Sequence, residues 1–337
     1  MRNLLNILSI LLGVMVSITS CHREDAPYDD TIQDENGSPI SFSHINASLE
    51  TRADEATGTT TPPIESFKVW ASRTYGSGNS EQTNYSIFRG DVVDYDSDNS
   101  SWEYSPVRYW QSGTYDFIAV SQYPDGTAGT LSADGLSLTF GTNGWDLTAS
   151  PQDLLLAATP DVSGDTRFNV SSPSAVNLAF NHQLALVKFS AMNVETDEEV
   201  SITVTDIEIS GHNTVATKLE PNKNPVWTFT QATSRGQSLS PETGTSISTE
   251  GYTEIPADIL VFPQTCESLF LELTFSDTHN GVTTIGNIKT ATISTAWETG
   301  KQYEYKINVG FDAIRIGAIT VTDWVNGGAI EPEEDEF

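Results

Sequence analysis

The amino-acid sequence predicts an all-β fold, and three features support this. Short runs rich in Val, Ile, Thr, Phe and Tyr recur along the chain, with Gly, Asn, Asp, Ser and Pro between them. Apolar residues at helical spacing are almost absent, and one pattern of aromatic residues occurs twice. Many short strands separated by turn residues are typical of a β-sandwich or a β-barrel.

The predicted strands follow one another from the first quarter of the chain to its end. They combine β-branched and aromatic residues, and in a strand alternate side chains share one face of the sheet. The clearest runs are SFKVWA (66–71), YDFIAVSQY (115–123), LSLTF (136–140), LALVKFSA (184–191), SITVTDIEI (201–209), LFLELTF (269–275) and YEYKINV (303–309).

The pattern that occurs twice is a Trp-x-x-Gly motif followed by alternating aromatic residues. The first copy is Trp110, Gly113, Tyr115 and Phe117, and the second is Trp297, Gly300, Tyr303 and Tyr305. Glycine tolerates the positive φ of a tight turn, and the following strand puts its aromatic residues on one face. The copies are too far apart for a solenoid repeat. We therefore expect one equivalent corner in each of two domains, at 39–174 and 175–330, with the boundary in VSSPSAV.

Residues 1–20 have the composition of a secretory signal peptide, with Arg2 ahead of an apolar run from Leu4 to Val16. A membrane-spanning helix would need about 20 apolar residues, and this run is interrupted and ends early. Ile18-Thr19-Ser20-Cys21 resembles a bacterial lipobox, in which the cysteine is acylated; the alternative is an ordinary cleaved signal peptide. Two or three acyl chains anchor a protein stably. The sequence thus predicts a lipoprotein attached to the outer membrane through Cys21.

Residues 21–38 lack apolar periodicity and are predicted to be a flexible tether. Its charged residues 22–25 resemble a tag that directs lipoproteins to the cell surface. The whole chain has 16 basic and 46 acidic residues, a formal charge of −30. Such a surface repels nucleic acid, so we expect no nucleic-acid partner. The acidic tail at 331–337 is predicted to be a solvated end.

The sequence contains no pattern that singles out a catalytic or metal site. Its five histidines form no zinc motif, and no nucleophile elbow or phosphate-binding glycine loop is present. The carboxylates of residues 94–99 resemble a calcium loop, but Asn99 and Ser105 stand where such a loop needs Gly and Glu. A hairpin turn is favoured there. We therefore expect no enzyme, no cofactor and no metal.

Two single residues are predicted to be structural. If Cys21 carries lipid, Cys266 has no disulfide partner, and its apolar surroundings favour a small buried side chain. His182 lies in phase with Phe180 and Leu184 in VNLAFNHQLALVKFS. This phase predicts a buried histidine, in the core or at a domain interface, with a hydrogen-bond partner.

Six phrases together resemble the fimbrillin family of Bacteroides-type bacteria, the subunits of surface fimbriae. They are SSWEYSPVRYWQSGTYDFIAV (100–120), QDLLLAATPDV (152–162), VNLAFNHQLALVKFS (176–190), ILVFPQT (259–265), TAWETGKQYEYKINV (295–309) and AITVTDWVNGG (318–328). The resemblance implies two transthyretin-like β-sandwich domains without a catalytic site. It also implies a lipoprotein precursor whose N-terminal segment is removed by an arginine-specific or trypsin-like protease, so that another subunit's β-strand enters the vacated groove.

Residues 39–52 are the predicted removable segment. Ile40 and Phe42 alternate as in a strand, and residues 45–49 continue in the other phase, which suggests a bulge. The polar stretch ETRADEATGTTTPP follows, with one basic residue, Arg52. Proteases cut exposed polar segments of this kind. Cleavage between Arg52 and Ala53 is therefore predicted; the alternative is an incidental loop arginine.

The C-terminal stretch IRIGAITVTDWV (314–325) is the candidate donor strand. Its apolar side chains occupy both faces, and such a strand is expected to need covering on both sides. The candidate residues are Ile316, Ala318, Ile319, Val321 and Trp324. The sequence leaves open whether this strand belongs to its own domain or is donated to another subunit.

The leading hypothesis is a structural or adhesive subunit of a surface fimbria, matured by proteolysis and assembled by β-strand exchange with identical or paralogous subunits. The expected location is the outer membrane surface and, after processing, the fimbrium. A host or bacterial surface ligand is left open as a further partner. The alternative is a monomeric surface lipoprotein whose tryptophans stack on glycans. A fimbrial subunit would lose its N-terminal segment and form ladders on a mildly denaturing gel.

Overall fold

The structure, a computed structural model, describes residues 37–43, 64–121, 130–132, 137–149, 151–197, 199–221, 225–230, 236–240 and 244–324. These residues form β-strands and connecting turns, with one 3-10 turn at Gly78–Ser80. The predicted all-β class is confirmed, and each strand run identified in the sequence overlaps an observed strand. Within the described ranges, no helix is long and apolar enough to span a membrane.

The strands are numbered in chain order. The first half contains β1 (Phe42–Ser43), β2 (Ser66–Tyr75), β3 (Gln82–Asp96), β4 (Ser101–Glu103), β5 (Thr114–Ser121), β6 (Thr130–Leu131), β7 (Leu138–Thr139), β8 (Trp145–Asp146), β9 (Leu155–Ser163), β10 (Val176–Asn177) and β11 (Asn181–His182). The second half contains β12 (Ala185–Asn193), β13 (Ser201–Ser210), β14 (Val215–Glu220), β15 (Val226–Phe229), β16 (Gln237–Leu239), β17 (Thr245–Ile247), β18 (Thr253–Val261), β19 (Thr265–His279), β20 (Val282–Ala296), β21 (Lys301–Val309) and β22 (Ile314–Asp323).

The N-terminal sandwich is built on a six-stranded sheet in the order β11-β9-β5-β2-β3-β4. The parallel pair β1-β10 contributes side chains to the same hydrophobic cluster as this sheet. In β2 the alternating residues Phe67, Val69 and Ala71 are buried, as expected for a strand with one face on a core. Aromatic rings dominate this core, which surrounds β1.

The C-terminal sandwich contains one sheet in the order β18-β12-β21-β22 and another in the order β16-β13-β19-β20, with β17 paired to β13. The inward residues of both sheets form one cluster. Strands β20 and β22 are the edge strands on one side of this sandwich. β22 pairs with β21 in antiparallel register from Val309–Ile314 to Lys301–Asp323.

A further sheet combines strands from both halves of the chain. β7 and β8 pair with β14, which also pairs with β15, while β6 pairs with β7. The change of sheet partner along the chain comes between His182, which pairs with β9, and Ala185, which pairs with β18. The domain limits at 39–174 and 175–330 stay predictions.

The two copies of the Trp-x-x-Gly motif form equivalent corners. The N–H of Gln111 donates to the Tyr115 hydroxyl at 3.0 Å, and the N–H of Glu298 donates to the Tyr303 hydroxyl at 2.9 Å. Gly113 has a φ of +132°, and a Cβ there would lie 2.5 Å from the carbonyl oxygen of Thr74. Each copy therefore fixes the chain just after a buried tryptophan.

Candidate functional site

Residues 38–43 lie as an extended segment within the N-terminal sandwich; we call them the seated segment, and the surface that holds them the seat. On one side, the N–H of Ile40 donates to the carbonyl of Arg108 at 2.8 Å, and the N–H of Trp110 donates to the carbonyl of Ser38 at 2.9 Å. On the other side, the N–H of Val176 donates to the carbonyl of Ser41 at 2.7 Å. The segment thus bonds to the chain on both sides, as a strand inside a sheet does.

The side chains of the seated segment alternate between the core and the surface. Ser38, Ile40 and Phe42 are 8%, 2% and 6% exposed, whereas Pro39 is exposed. The Ser38 hydroxyl donates to the carbonyl of Val170. This alternation is the strand pattern predicted for Ile40 and Phe42.

Phe42 is enclosed by four aromatic rings, which we call the aromatic box. All four rings lie edge-on to it, an arrangement that aromatic pairs favour. The ring centroids lie at 5.6 Å for Phe67, 5.7 Å for Phe88, 5.8 Å for Tyr104 and 6.1 Å for Phe117. The box therefore gives the seat a pocket shaped for a large planar side chain.

Tyr104 also forms a hydrogen bond to the backbone of the seated segment. Its hydroxyl donates to the carbonyl of Ile40 at 2.7 Å and accepts from the N–H of Arg108 at 3.3 Å. Burial raises the pKa of Tyr104 to about 12, so the hydroxyl stays protonated and able to donate at neutral pH. Tyr104 is thus an anchor for the seated segment.

Arg108 holds the wall of the seat in place. Its Nε donates to the carbonyl of Ile87 at 3.1 Å, and its guanidinium forms an ion pair with Asp91 at 3.3 Å. The guanidinium also lies 5.9 Å from the Phe88 ring centroid. These contacts fix the backbone of residues 108–110, which pairs with the seated segment.

Of the predicted maturation residues, Cys21, Arg52 and Ala53 lie outside the described residues. So do residues 44–50 of the predicted removable segment. Residues 39–43 of that segment lie in the seat described above. Lipidation at Cys21 and cleavage after Arg52 stay predictions.

The donor candidates Ile316, Ala318, Ile319 and Val321 lie on β22. Ile319 pairs with Tyr305 and Val321 with Tyr303, so both point to the core face, because directly paired residues share a face. They are nevertheless 36% and 51% exposed. The expectation that this strand is covered on both faces is not met within the described part of this single chain. Its side chains at the sheet edge are open to a partner.

Trp324, the last donor candidate, lies just after β22. Its backbone N–H donates to the backbone carbonyl of Gly300 at 2.9 Å. Its ring stacks on the His182 imidazole, with 3.7 Å between the ring centroids. His182 is buried and bonds through Nδ1 to Asp153, whose pKa is raised by burial. The predicted buried histidine with a hydrogen-bond partner is thus observed, and it holds the end of β22.

The other residues considered for chemistry have structural surroundings. Residues 97–100 form the turn between β3 and β4, where a carboxylate oxygen of Asp96 accepts from the N–H of Asp98 at 2.8 Å. Cys266 is buried, and burial raises the pKa of its thiol to about 11. In the described ranges, no group of three His, Cys, Asp or Glu side chains is arranged to hold a metal ion.

The glycan-binding alternative expected exposed tryptophans. All seven lie in the described residues, and each is buried or half-buried: Trp70, Trp102, Trp110, Trp145, Trp227, Trp297 and Trp324. None of the seven is fully exposed, so this observation does not favour the alternative.

Sequence reasoning missed the residues that hold the seated segment. Tyr104 and Arg108 lie outside named strands, and Phe88 lies on β3, which was not among the predicted runs. The cluster of aromatic residues at 102–117 was visible in the sequence, and it could have indicated an aromatic pocket. Its contact with Phe42 depends on the tertiary fold.

A comparison with known proteins identifies the family. A family model described as fimbrillin-like matches residues 51–324. The fold is similar to that of a fimbrial protein from Bacteroides vulgatus, with a TM-score of 0.61 and 17% identity over 86% of this chain and 100% of that chain. It is also similar to a protein from Bacteroides uniformis assigned to cell adhesion, with a TM-score of 0.53 and 16% identity over 87% of this chain and 99% of that chain. No curated protein matches this chain. Since the family model spans most of the sequence, the chain belongs to the fimbrillin-like family.

Proposed function

We propose that this protein is a structural or adhesive subunit of a bacterial surface fimbria, and that it assembles by β-strand exchange. Membership of the fimbrillin-like family supports the fimbrial role. The observation that carries strand exchange is the seat, where residues 38–43 are bonded on both sides and bury Ile40 and Phe42. This segment precedes the candidate cleavage site at Arg52.

In this proposal the chain is exported as a lipoprotein, and lipid on Cys21 attaches it to the outer membrane surface. A protease then cuts between Arg52 and Ala53, and the seated segment is no longer covalently joined to β2. Its departure would expose the aromatic box and would remove the hydrogen bonds that the seated segment makes to the backbone of Arg108, Trp110 and Val176. An exposed apolar groove beside free backbone groups is a template for a new strand.

A strand from another subunit would then occupy the seat. Each large apolar side chain that it buries contributes roughly 1.5–3 kcal/mol, and the strand also satisfies the backbone groups of the seat. Association itself costs roughly 4–15 kcal/mol. A donor with several seated apolar side chains would thus be held firmly.

β22 is the proposed donor strand. Among the described strands it is an edge strand that pairs with β21, and Ile319 and Val321 are already partly exposed. Ile316, Ala318 and Trp324 complete the set of candidate donor residues. The protein would have no catalytic role, and its partners would be other fimbrial subunits, with a surface ligand as a further partner.

The test is the fate of the chain when the cleavage site is changed. We expect Arg52→Ala to stay uncut and monomeric on cells, because the seated segment then stays covalently joined and keeps the seat filled. N-terminal sequencing and a mildly denaturing gel of surface material measure both properties. Thr51→Ala is the matched control, since it changes the neighbouring residue and keeps Arg52 as a site for either kind of protease. Polymers of uncut Arg52→Ala subunits would contradict the proposal.

A further inference from the structure

The seat distinguishes three positions along its occupant. The buried residues Ser38, Ile40 and Phe42 are spaced two apart, and they are small, aliphatic and aromatic in turn. Ser38 bonds to Val170, Ile40 presents its carbonyl to Tyr104, and Phe42 fills the aromatic box. The occupant therefore has the pattern small-x-aliphatic-x-aromatic.

The proposed donor strand of the same chain meets only part of this pattern. In GAITV (317–321), Gly317 is small and Ile319 aliphatic, but the third position is Val321. β22 has one more residue than β21 between the pairs Ile316–Ile307 and Ile319–Tyr305, and we take a strand that leaves β21 to be regular over these residues. Seated in the register of residues 38–42, β22 would thus place valine in the aromatic box.

A valine would fill the aromatic box poorly. Four rings surround Phe42 at centroid distances of 5.6–6.1 Å. Three of them lie on β2, β3 and β5, and that of Tyr104 lies just after β4, all packed in the same core. Rings held in this way cannot all close on a smaller side chain, so a cavity would remain and contacts would be lost. The seat discriminates by the size and shape of one side chain.

We infer that the seat selects an aromatic residue at the Phe42 position. Its occupant after maturation is then a strand of a different subunit with the pattern small-x-aliphatic-x-aromatic, rather than β22 of a second copy of this chain. This inference rests on the proposed strand exchange. It adds the chemistry of the partner and makes each joint a contact between two different subunits.

A displacement assay on the full chain tests the selection. A specific protease site replaces residues 50–53, and the chain is cut there so that the labelled N-terminal fragment is left in the seat. Three synthetic peptides compete for the seat: residues 37–49, residues 314–324, and residues 314–324 with Val321→Phe. Release of the fragment is followed by fluorescence anisotropy.

We expect the 37–49 peptide to displace the fragment. The 314–324 peptide should need about a tenfold higher concentration to release the same share of the fragment. Val321→Phe should recover most of that difference, because its ring enters the aromatic box. The control is the 314–324 peptide with Thr320→Phe, which adds the same ring to the other face of the strand and should gain nothing.

The outcomes separate the inference from the proposed function. Equal displacement by the 314–324 peptide and its Val321→Phe variant would overturn aromatic selection and leave strand exchange intact. If Thr320→Phe improved displacement as much as Val321→Phe, the added ring would be acting by non-specific hydrophobic binding. That result would also overturn the selection. Failure of every peptide, including 37–49, to release the fragment would overturn strand exchange itself, and the inference with it.

Discussion

Phe42 joins the seated segment to the core of the N-terminal sandwich through its contacts with the four rings of the aromatic box. We expect Phe42→Ala to lower the free energy of unfolding by about 3–5 kcal/mol, the usual effect of removing a buried aromatic side chain. Urea unfolding of the uncut chain measures this. Ser41→Ala, one residue away on the other face, should change the free energy by less than about 0.5 kcal/mol. Equal effects would mean that the segment is not seated in this register.

A second prediction at the residue scale concerns His212 and the dependence of stability on pH. His212 is 4% exposed and bonds through Nε2 to the amide oxygen of Gln237 at 2.7 Å, and burial lowers its pKa. Below the unfolded pKa of about 6.5, the unfolded chain binds a proton that the folded chain does not. Stability should therefore fall as the pH falls from about 7 to 5. His212→Gln should reduce this pH dependence, measured by urea unfolding at each pH; an unchanged slope would assign it to other groups.

At the scale of the strands, the alternation of apolar residues predicted the regular part of the fold. The runs around Val69, Phe117 and Ile307 became central strands because each carries enough apolar side chains to define an inward face. The repeated corners were also predictable, since glycine, tryptophan and tyrosine occur at fixed spacing. The alternation of Ile40 and Phe42 likewise predicted the strand that occupies the seat.

The parts that could not be predicted depend on contacts between distant segments. β8 contains two residues, too few for any periodicity, and it is a strand because β14 pairs with it. β7 lies within the predicted run at 136–140, but its pairing with β14 in the second half of the chain could not be predicted. Tyr104 is an anchor only because the fold brings its hydroxyl to Ile40, 64 residues away. The apolar composition of β22 predicted a covered strand, but its place at the sheet edge leaves Val321 half exposed.

The position of β22 leads to a prediction for that strand. Val321→Asp should lower the melting temperature only slightly. Val321 is 51% exposed, so the carboxylate of the introduced aspartate would stay hydrated. The same change should abolish incorporation into fimbriae, because a seated donor would carry an unpaired buried charge, which costs several kcal/mol. Thermal unfolding and a fimbria preparation from cells measure the two effects.

Ile314→Asp is the matched control for this strand. Ile314 lies on β22 but is 4% exposed, so the charge should destabilise the fold as well as assembly. A collapse of the melting transition in Val321→Asp would place that residue in the core. Normal incorporation of the variant into fimbriae would exclude β22 as the donor.

At the scale of the whole molecule, the two sandwiches are joined by more than a linker. Strands β7 and β8 of the first half share a hydrogen-bonded sheet with β14 of the second. Behind this sheet, Phe140 and Trp145 pack with Trp227 and Phe262 in one buried cluster. The shared sheet and the common cluster therefore connect the two sandwiches through both hydrogen bonds and apolar packing.

This arrangement predicts that both sandwiches unfold in one transition. Phe262 is fully buried, and its ring centroid lies 5.3 Å from that of Trp145 and 4.8 Å from that of Trp227. Phe262→Ala should therefore lower the free energy of unfolding by about 3–5 kcal/mol. The loss of stability should appear equally in β5 and β21, because the removed ring supports strands of both halves.

Hydrogen exchange of peptides from those two strands, followed across a urea series, measures the stability of each sandwich separately. If β21 lost protection at a lower urea concentration than β5, the sandwiches would be independent units, and the shared sheet would not couple them.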